Sequence, residues 1–187
     1  MKSLLALAAL IVALPAVAAE SHYSPLGNEA CRLDKAASRK ITRHEDFEPM
    51  LYRCGTSNGR AVSVIYHGLN VRVSLARKGG KTLDVFTPYD AGPKIEWRGP
   101  RGAATAAILR MSARGDDAKP ASVLAVIKLT PEQDCLVAII NTKTNPKAND
   151  LARQTADDIE SRSCGRPEIL GTSGSVAKEI LDLNLNR

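Results

Sequence analysis

The dipeptide Asn58-Gly59 constrains this chain more than any other feature. It separates two runs of strand-forming residues within the stretch 51–73 and supplies the positive φ angles of a tight hairpin turn. Val62, Val64 and Tyr66 alternate onto one face of the second strand. Val71, Val73 and Leu75 do the same on a third. Strands are expected at 50–55, 60–66, 71–77 and 82–87, joined by turns at Asn58-Gly59, at 67–70 and at Lys78-Gly79-Gly80. Connections this short make neighbours antiparallel. Ser63, Arg72 and Ser74 give the meander one wetted side.

The start of the chain reads as a leader. Lys2 provides a positive end, residues 4–17 are almost wholly apolar, and Ala16-Val17-Ala18 and Val17-Ala18-Ala19 each place small residues where a signal peptidase cuts. The run is too short and Ala-rich to be assigned as a membrane span. Residues 1–19 are therefore expected to be removed, with no stable membrane span afterwards. The expected location is periplasmic or secreted. Cys31, Cys54, Cys135 and Cys164 make an even set in an exported chain, and none stands in a C-x-x-C spacing. That favours two disulfides over a redox dithiol or zinc clip. The expected pairing is sequence-near, Cys31 with Cys54 and Cys135 with Cys164.

The net charge is +6, and removing Lys2 with the leader leaves +5. A mildly basic surface suits solubility, an anionic envelope surface or an acidic protein partner. Aromatic residues are 4% of the chain, too few to suggest a nucleic-acid stacking platform. No nucleic-acid partner is expected.

Further along, 88–93 reads as a loop and 94–98 as a strand with Ile95 and Trp97 inward and Lys94, Glu96 and Arg98 outward. Strands near 121–130 and 135–142 are apolar on both faces and should be covered on both sides. Asn145-Pro146 reads as a helix start, and Ala148, Leu151, Ala152, Thr155 and Ile159 recur at helical spacing. A strand over 135–142 and a helix over 146–162 each span about 26 Å, so Cys135 and Cys164 return to the same end. Residues 166–187 contain Gly171-Thr172-Ser173-Gly174-Ser175, a linker-like run, and are expected as a flexible or weakly docked tail. The fold expected is a single α+β domain over 20–165. It would be an antiparallel meander, curled or closed into a barrel, with one helix packed on the later strands.

No reaction is legible. His44, Glu45, Asp46 and Glu48 read as a solvated loop rather than a metal site, because consecutive residues rarely converge on one ion. Arg114-Gly115-Asp116 reads as a turn. Gly-x-Ser-x-Gly, metalloprotease, EF-hand and dinucleotide patterns are all missing. A non-enzyme without a cofactor is expected, with an unrecognised hydrolase as an alternative.

Two resemblances add to this reading. Ser24-Pro25-Leu26 followed by Cys31, then Tyr52-Arg53-Cys54-Gly55, Ile95-Glu96-Trp97-Arg98, Asp134-Cys135 and the run Asn145-Pro146-x-Ala148-Asn149-x-Leu151-Ala152-Arg153 resemble a family of bacterial periplasmic two-disulfide proteins with no assigned activity. That likeness implies export and paired cysteines. Tyr52-x-Cys54 and Val62-x-Val64-x-Tyr66 resemble the opening of the MliC-type inhibitors of C-type lysozymes, which are small antiparallel barrels. Their inhibitory loop carries Ser-Gly-x-x-Tyr. The nearest stretch here, Ala91-Gly92-Pro93-Lys94-Ile95, has neither the Ser nor the Tyr. The resemblance implies lysozyme as a partner and a binding loop over 88–98, with Lys94 reaching for catalytic carboxylates and Tyr89 as an apolar contact.

Export has a direct check. Amino-terminal sequencing of the mature protein should begin at Ala19 or Glu20. A first residue of Met1 would remove the compartment argument.

Overall fold

The computed structural model describes residues 19–41, 48–68, 70–114 and 120–185. The leader thus lies outside the described residues up to residue 18, as do His44, Glu45, Asp46, Gly115 and Asp116. In chain order the elements are β1 (Ser21–Pro25), β2 (Arg32–Leu33), α1 (Lys35–Ser38), β3 (Met50–Ser57), β4 (Arg60–His67), β5 (Asn70–Arg77), β6 (Thr82–Thr87), β7 (Asp90–Arg98), β8 (Ala106–Arg114), β9 (Pro120–Lys128), β10 (Cys135–Asn141), α2 (Ala148–Asp157), β11 (Glu168–Leu170) and α3 (Ser175–Leu185).

The strands form two sheets, neither closed into a barrel. One runs β2-β3-β4-β5-β6, and the other β1-β7-β8-β9-β10-β11. The expected curled or closed single meander is therefore corrected to two sheets, mostly strand, with three helices. The chain passes between sheets at the two-residue bend Pro88-Tyr89, so 90–93 is strand and not loop. β1 is short and carries polar residues at alternate positions. It pairs antiparallel with β7, His22 opposite Trp97 and Pro25 opposite Lys94.

Alternation explains the core. Val62, Val64, Val71, Val73, Leu75 and Val85 point from the first sheet toward Ile95, Trp97, Leu109, Met111, Val123 and Ile127 of the second, all in one buried cluster. Trp97 is fully buried, and its indole N–H donates to Ser24 Oγ at 2.9 Å. The other face of the second sheet packs under α2. There Ala106, Ile108, Leu124, Val126, Val137, Ala138 and Ile140 meet Ala148, Ala152, Ala156 and Ile159. A bulge between Leu136 and Ala138 lets both Val137 and Ala138 face the helix. The alanines recur every four residues, so the helix approaches the sheet closely. The doubly covered strands expected from the sequence are β9 and β10.

The helix starts later than expected. Asn145 does not cap it; its Nδ2 donates to Asn141 O at 2.7 Å and Thr172 O at 3.0 Å, and its Oδ1 accepts from Thr172 N at 2.8 Å. Gly171, at φ +71°, passes so close that a Cβ there would lie 2.2 Å from Asn145 Oδ1. Within the segment expected as a flexible or weakly docked tail, Thr172 is held by this amide. β11 pairs parallel with β10, and α3 buries Val176, Ala177 and Ile180 in the core shared by the two sheets. Its apolar face finds a partner because the sandwich is open beside β6 and β10.

Both disulfides join the cysteines close in sequence. Cys31–Cys54 ties the segment after β1 to β3, and Cys135–Cys164 ties β10 to the chain beyond α2. The second spans 29 residues, which a chain-entropy treatment values at about 3–4 kcal/mol.

The hairpin turn carries a further polar role. Asn58 (φ +50°) and Gly59 (φ +72°) take the left-handed angles, but Asn58 is buried. Its Oδ1 accepts from Gly102 N at 3.0 Å and Ala104 N at 3.4 Å, and its Nδ2 lies 3.0 Å from His22 Nε2. Beside it, Arg60 donates to Asn58 O at 2.7 Å and forms a forked pair with the buried Asp134 at 2.9 and 2.7 Å. The tip of a hairpin in one sheet is thus bonded to three segments of the other. Asn58→Ala should strain a left-handed position and strand buried backbone donors, costing about 3 kcal/mol. Asn58→Gly should recover about 1 kcal/mol of that by relieving the backbone alone. Urea unfolding of the three proteins reads both steps, and equal stabilities would refute the assignment.

Candidate functional site

β1, β7 and α2 converge on the outer face of the second sheet. Because strand side chains alternate, Ser21 and Tyr23 of β1 and Lys94, Glu96 and Arg98 of β7 share that face. α2 runs above it and, with its C-terminal cap, contributes Asp150, Arg153, Gln154, Asp157 and Asp158. Between them lies a broad open depression of about 830 Å³, lined at one end by Ala19.

Its floor is an ion-pair chain. Arg98 is buried and donates to Asp157 Oδ1 from Nε at 2.9 Å, and to Asp157 Oδ1 and Oδ2 from Nη2 at 2.7 Å each. Its Nη1 donates to Ser21 Oγ, and Ser21 Oγ donates to Glu96 Oε1 at 2.7 Å. Arg153 closes the chain on Glu96, Nε to Oε1 at 2.8 Å and Nη2 to Oε2 at 3.2 Å. These forked contacts fix α2 at a set height over β7. Burial raises the Glu96 carboxyl, but the hydrogen bonds from Arg153 and Ser21 outweigh it and hold the group below its ordinary value of 4.5. The same bond with Glu96 raises the Arg153 guanidinium above its ordinary range.

Above this floor sits Tyr23. The residue is 45% exposed, with the Lys94 ammonium over its ring, 4.4 Å from the centroid, and Arg153 Nη2 3.4 Å from its hydroxyl. Among the described residues Lys94 has no carboxylate partner. The ledge can therefore offer a flat apolar ring, an unneutralised cation and a guanidinium edge side by side.

Lys94 lies inside β7, opposite Pro25, outward on a strand as its alternation with Ile95 and Trp97 predicts, and not on the loop that the lysozyme-inhibitor resemblance implies. Tyr89 is exposed at the bend before β7. Five positions of extended chain, roughly 15 Å by strand rise, separate it from Lys94. The structure brings Lys94 to Tyr23 rather than to Tyr89. Near that bend, Tyr52 and Tyr66 meet edge to face at 5.7 Å. Burial, then the Asp90 carboxylate, raises the Tyr66 phenol. Sequence reasoning missed Tyr23 and Arg153. The available signal was the alternation of Ser21 and Tyr23 against His22 and Ser24, obscured by its hydroxyls and by Pro25.

Among the described residues no group of His, Cys, Asp and Glu is arranged to hold a metal ion, and no helix is long and apolar enough to cross a membrane. His22 faces Asn58 in the interior.

No family model, curated protein or solved structure matches this chain. What it does has to be read from its own geometry.

The floor predicts a pH response. A carboxyl held below its ordinary value stabilises the fold fully above that value and loses the contribution as pH falls through the depressed one. Melting temperature should therefore fall as pH drops below about 4.5, and Glu96→Gln should flatten that limb. Identical slopes for the two proteins would show that Glu96 is not held by Arg153.

Proposed function

We propose that this chain acts outside the cytoplasm as a non-catalytic binding protein of the cell envelope, with the ledge of Tyr23, Lys94 and Arg153 as its ligand-facing surface. The observation that carries this reading is Tyr23. Tyr23 is half-exposed with an ammonium over its ring and a guanidinium at its hydroxyl, so a ligand that covers it removes apolar surface from water beside two cations. The ion pairs beneath keep the ledge rigid, so little conformational entropy is lost when a ligand settles on it. The two disulfides fit an oxidising compartment. The mildly positive charge fits an anionic envelope component or an acidic protein partner.

The lysozyme-inhibitor alternative requires a loop that enters a cleft, and Lys94 sits on a paired strand. The ledge is the better-supported surface. The hydrolase alternative is separated by turnover: purified protein should release no product from esterase, amidase or glycosidase substrates.

Co-sedimentation tests the main reading. The mature protein should pellet with isolated anionic envelope fractions at low salt, and Tyr23→Ala combined with Lys94→Glu should leave it in the supernatant. Wild-type protein that stays soluble with every fraction, or a double variant that pellets equally, would end the ledge assignment. Circular dichroism confirms that the variant is folded.

A further inference from the structure

Independently of the ledge, we propose that Asn58-Gly59 is a self-modification site that folding shuts. The turn is inert while the two sheets are joined, and in an unfolded chain it converts to a form that cannot rejoin them.

The chemistry starts from the dipeptide. Of the asparagines in the chain, only Asn58 is followed by glycine. Asparagine is thermolabile because the next backbone nitrogen can attack its side chain, and a glycine leaves that nitrogen unshielded. The Gly59 nitrogen bonds to Asn58 Cγ, the Cγ–Nδ2 bond breaks, and ammonia leaves with the Gly59 proton. Water then opens the cyclic imide at either carbonyl, giving aspartate or isoaspartate.

The fold blocks the first step. Attack needs Cγ to swing onto the backbone, but Asn58 is buried and its amide is held at both ends. Oδ1 accepts from Gly102 N at 3.0 Å and Ala104 N at 3.4 Å, and Nδ2 lies 3.1 Å from Ser57 Oγ and 3.0 Å from His22 Nε2. These bonds would have to break in a place where water does not replace them.

The product is one the seam rejects. Aspartate puts a carboxylate oxygen where Nδ2 stood, a new charge in a buried site. Arg60, which donates to the Asn58 carbonyl, is already forked onto Asp134. Isoaspartate runs the main chain through the side-chain carbon. That lengthens a two-residue turn whose length sets the register of β3 on β4, with Ser57 opposite Arg60.

The test ages the mature protein in mildly alkaline buffer, folded in one sample and unfolded in guanidinium in the other. After reduction and trypsin, peptide 54–60 reports the mass gain of an amide-to-acid change. It should appear on the order of tenfold or more faster in the unfolded sample. After dilution from guanidinium, size exclusion separates refolded monomer from the remainder, and the converted peptide should be depleted in the monomer. Asn58→Gly, which has no amide to lose, should refold as completely after ageing as before it. Equal conversion rates in the folded and unfolded samples would show that the seam does not protect the turn. Equal converted peptide in monomer and remainder, or a loss of refolding in Asn58→Gly that matches the wild type, would show that the modified turn is not what stops refolding. Each of these results overturns the proposal, and none of them touches the ledge.

Discussion

Two sheets joined only by apolar side chains can slide, because hydrophobic contact is not directional. Here the slide is fixed by the Asn58 amide. It carries hydrogen bonds across the interface to Gly102, Ala104 and His22, in a buried setting where an unmade bond is expensive. Arg60 and Asp134 continue the polar seam at the same end. β1 lies where its pairing with β7 puts it, and His22 joins it to the seam. Tyr23 stands on the opposite face of β1, so one short strand serves both the seam and the ledge.

The outer face of the second sheet shows a division of labour along its strands. Over β8 to β10 it is apolar and covered by the alanine stripe of α2. Toward β7 and β1 it becomes charged, and the same helix reaches it through Arg153 and Asp157. One helix therefore packs by close approach at one side and by forked ion pairs at the other. The second kind of contact is stiff but leaves room for an open depression.

Much of the fold was legible. Asn58-Gly59, the alternation through β4 and β5, the inward Trp97 and the cysteine pairs follow from local pattern. What was hidden is long-range. Periodicity says which residues share a face and not which sheet a strand joins, so the crossing at Pro88-Tyr89 read as an ordinary loop. β1 is hard to see in the sequence because its inward positions are His22 and Ser24, polar residues whose partners Asn58 and Trp97 lie far along the chain. Arg153 gives no local signal either, since its partner Glu96 is 57 residues away. Asn145-Pro146 misled in the other direction. A cap-like side chain went to Thr172 instead, and with it the supposed tail joined the fold.

That side-chain device occurs twice. Asn184 of α3 accepts from Phe86 N and donates to Phe86 O, each at 2.9 Å, as a neighbouring strand would. β6 is the border strand of its sheet, and a border strand left bare is a template for any passing chain. One amide, borne on α3, stands in for the missing neighbour. The consequence concerns association between copies. With that amide gone, the N–H and C=O of Phe86 lie bare on a border strand, where a second copy of the chain can pair with them.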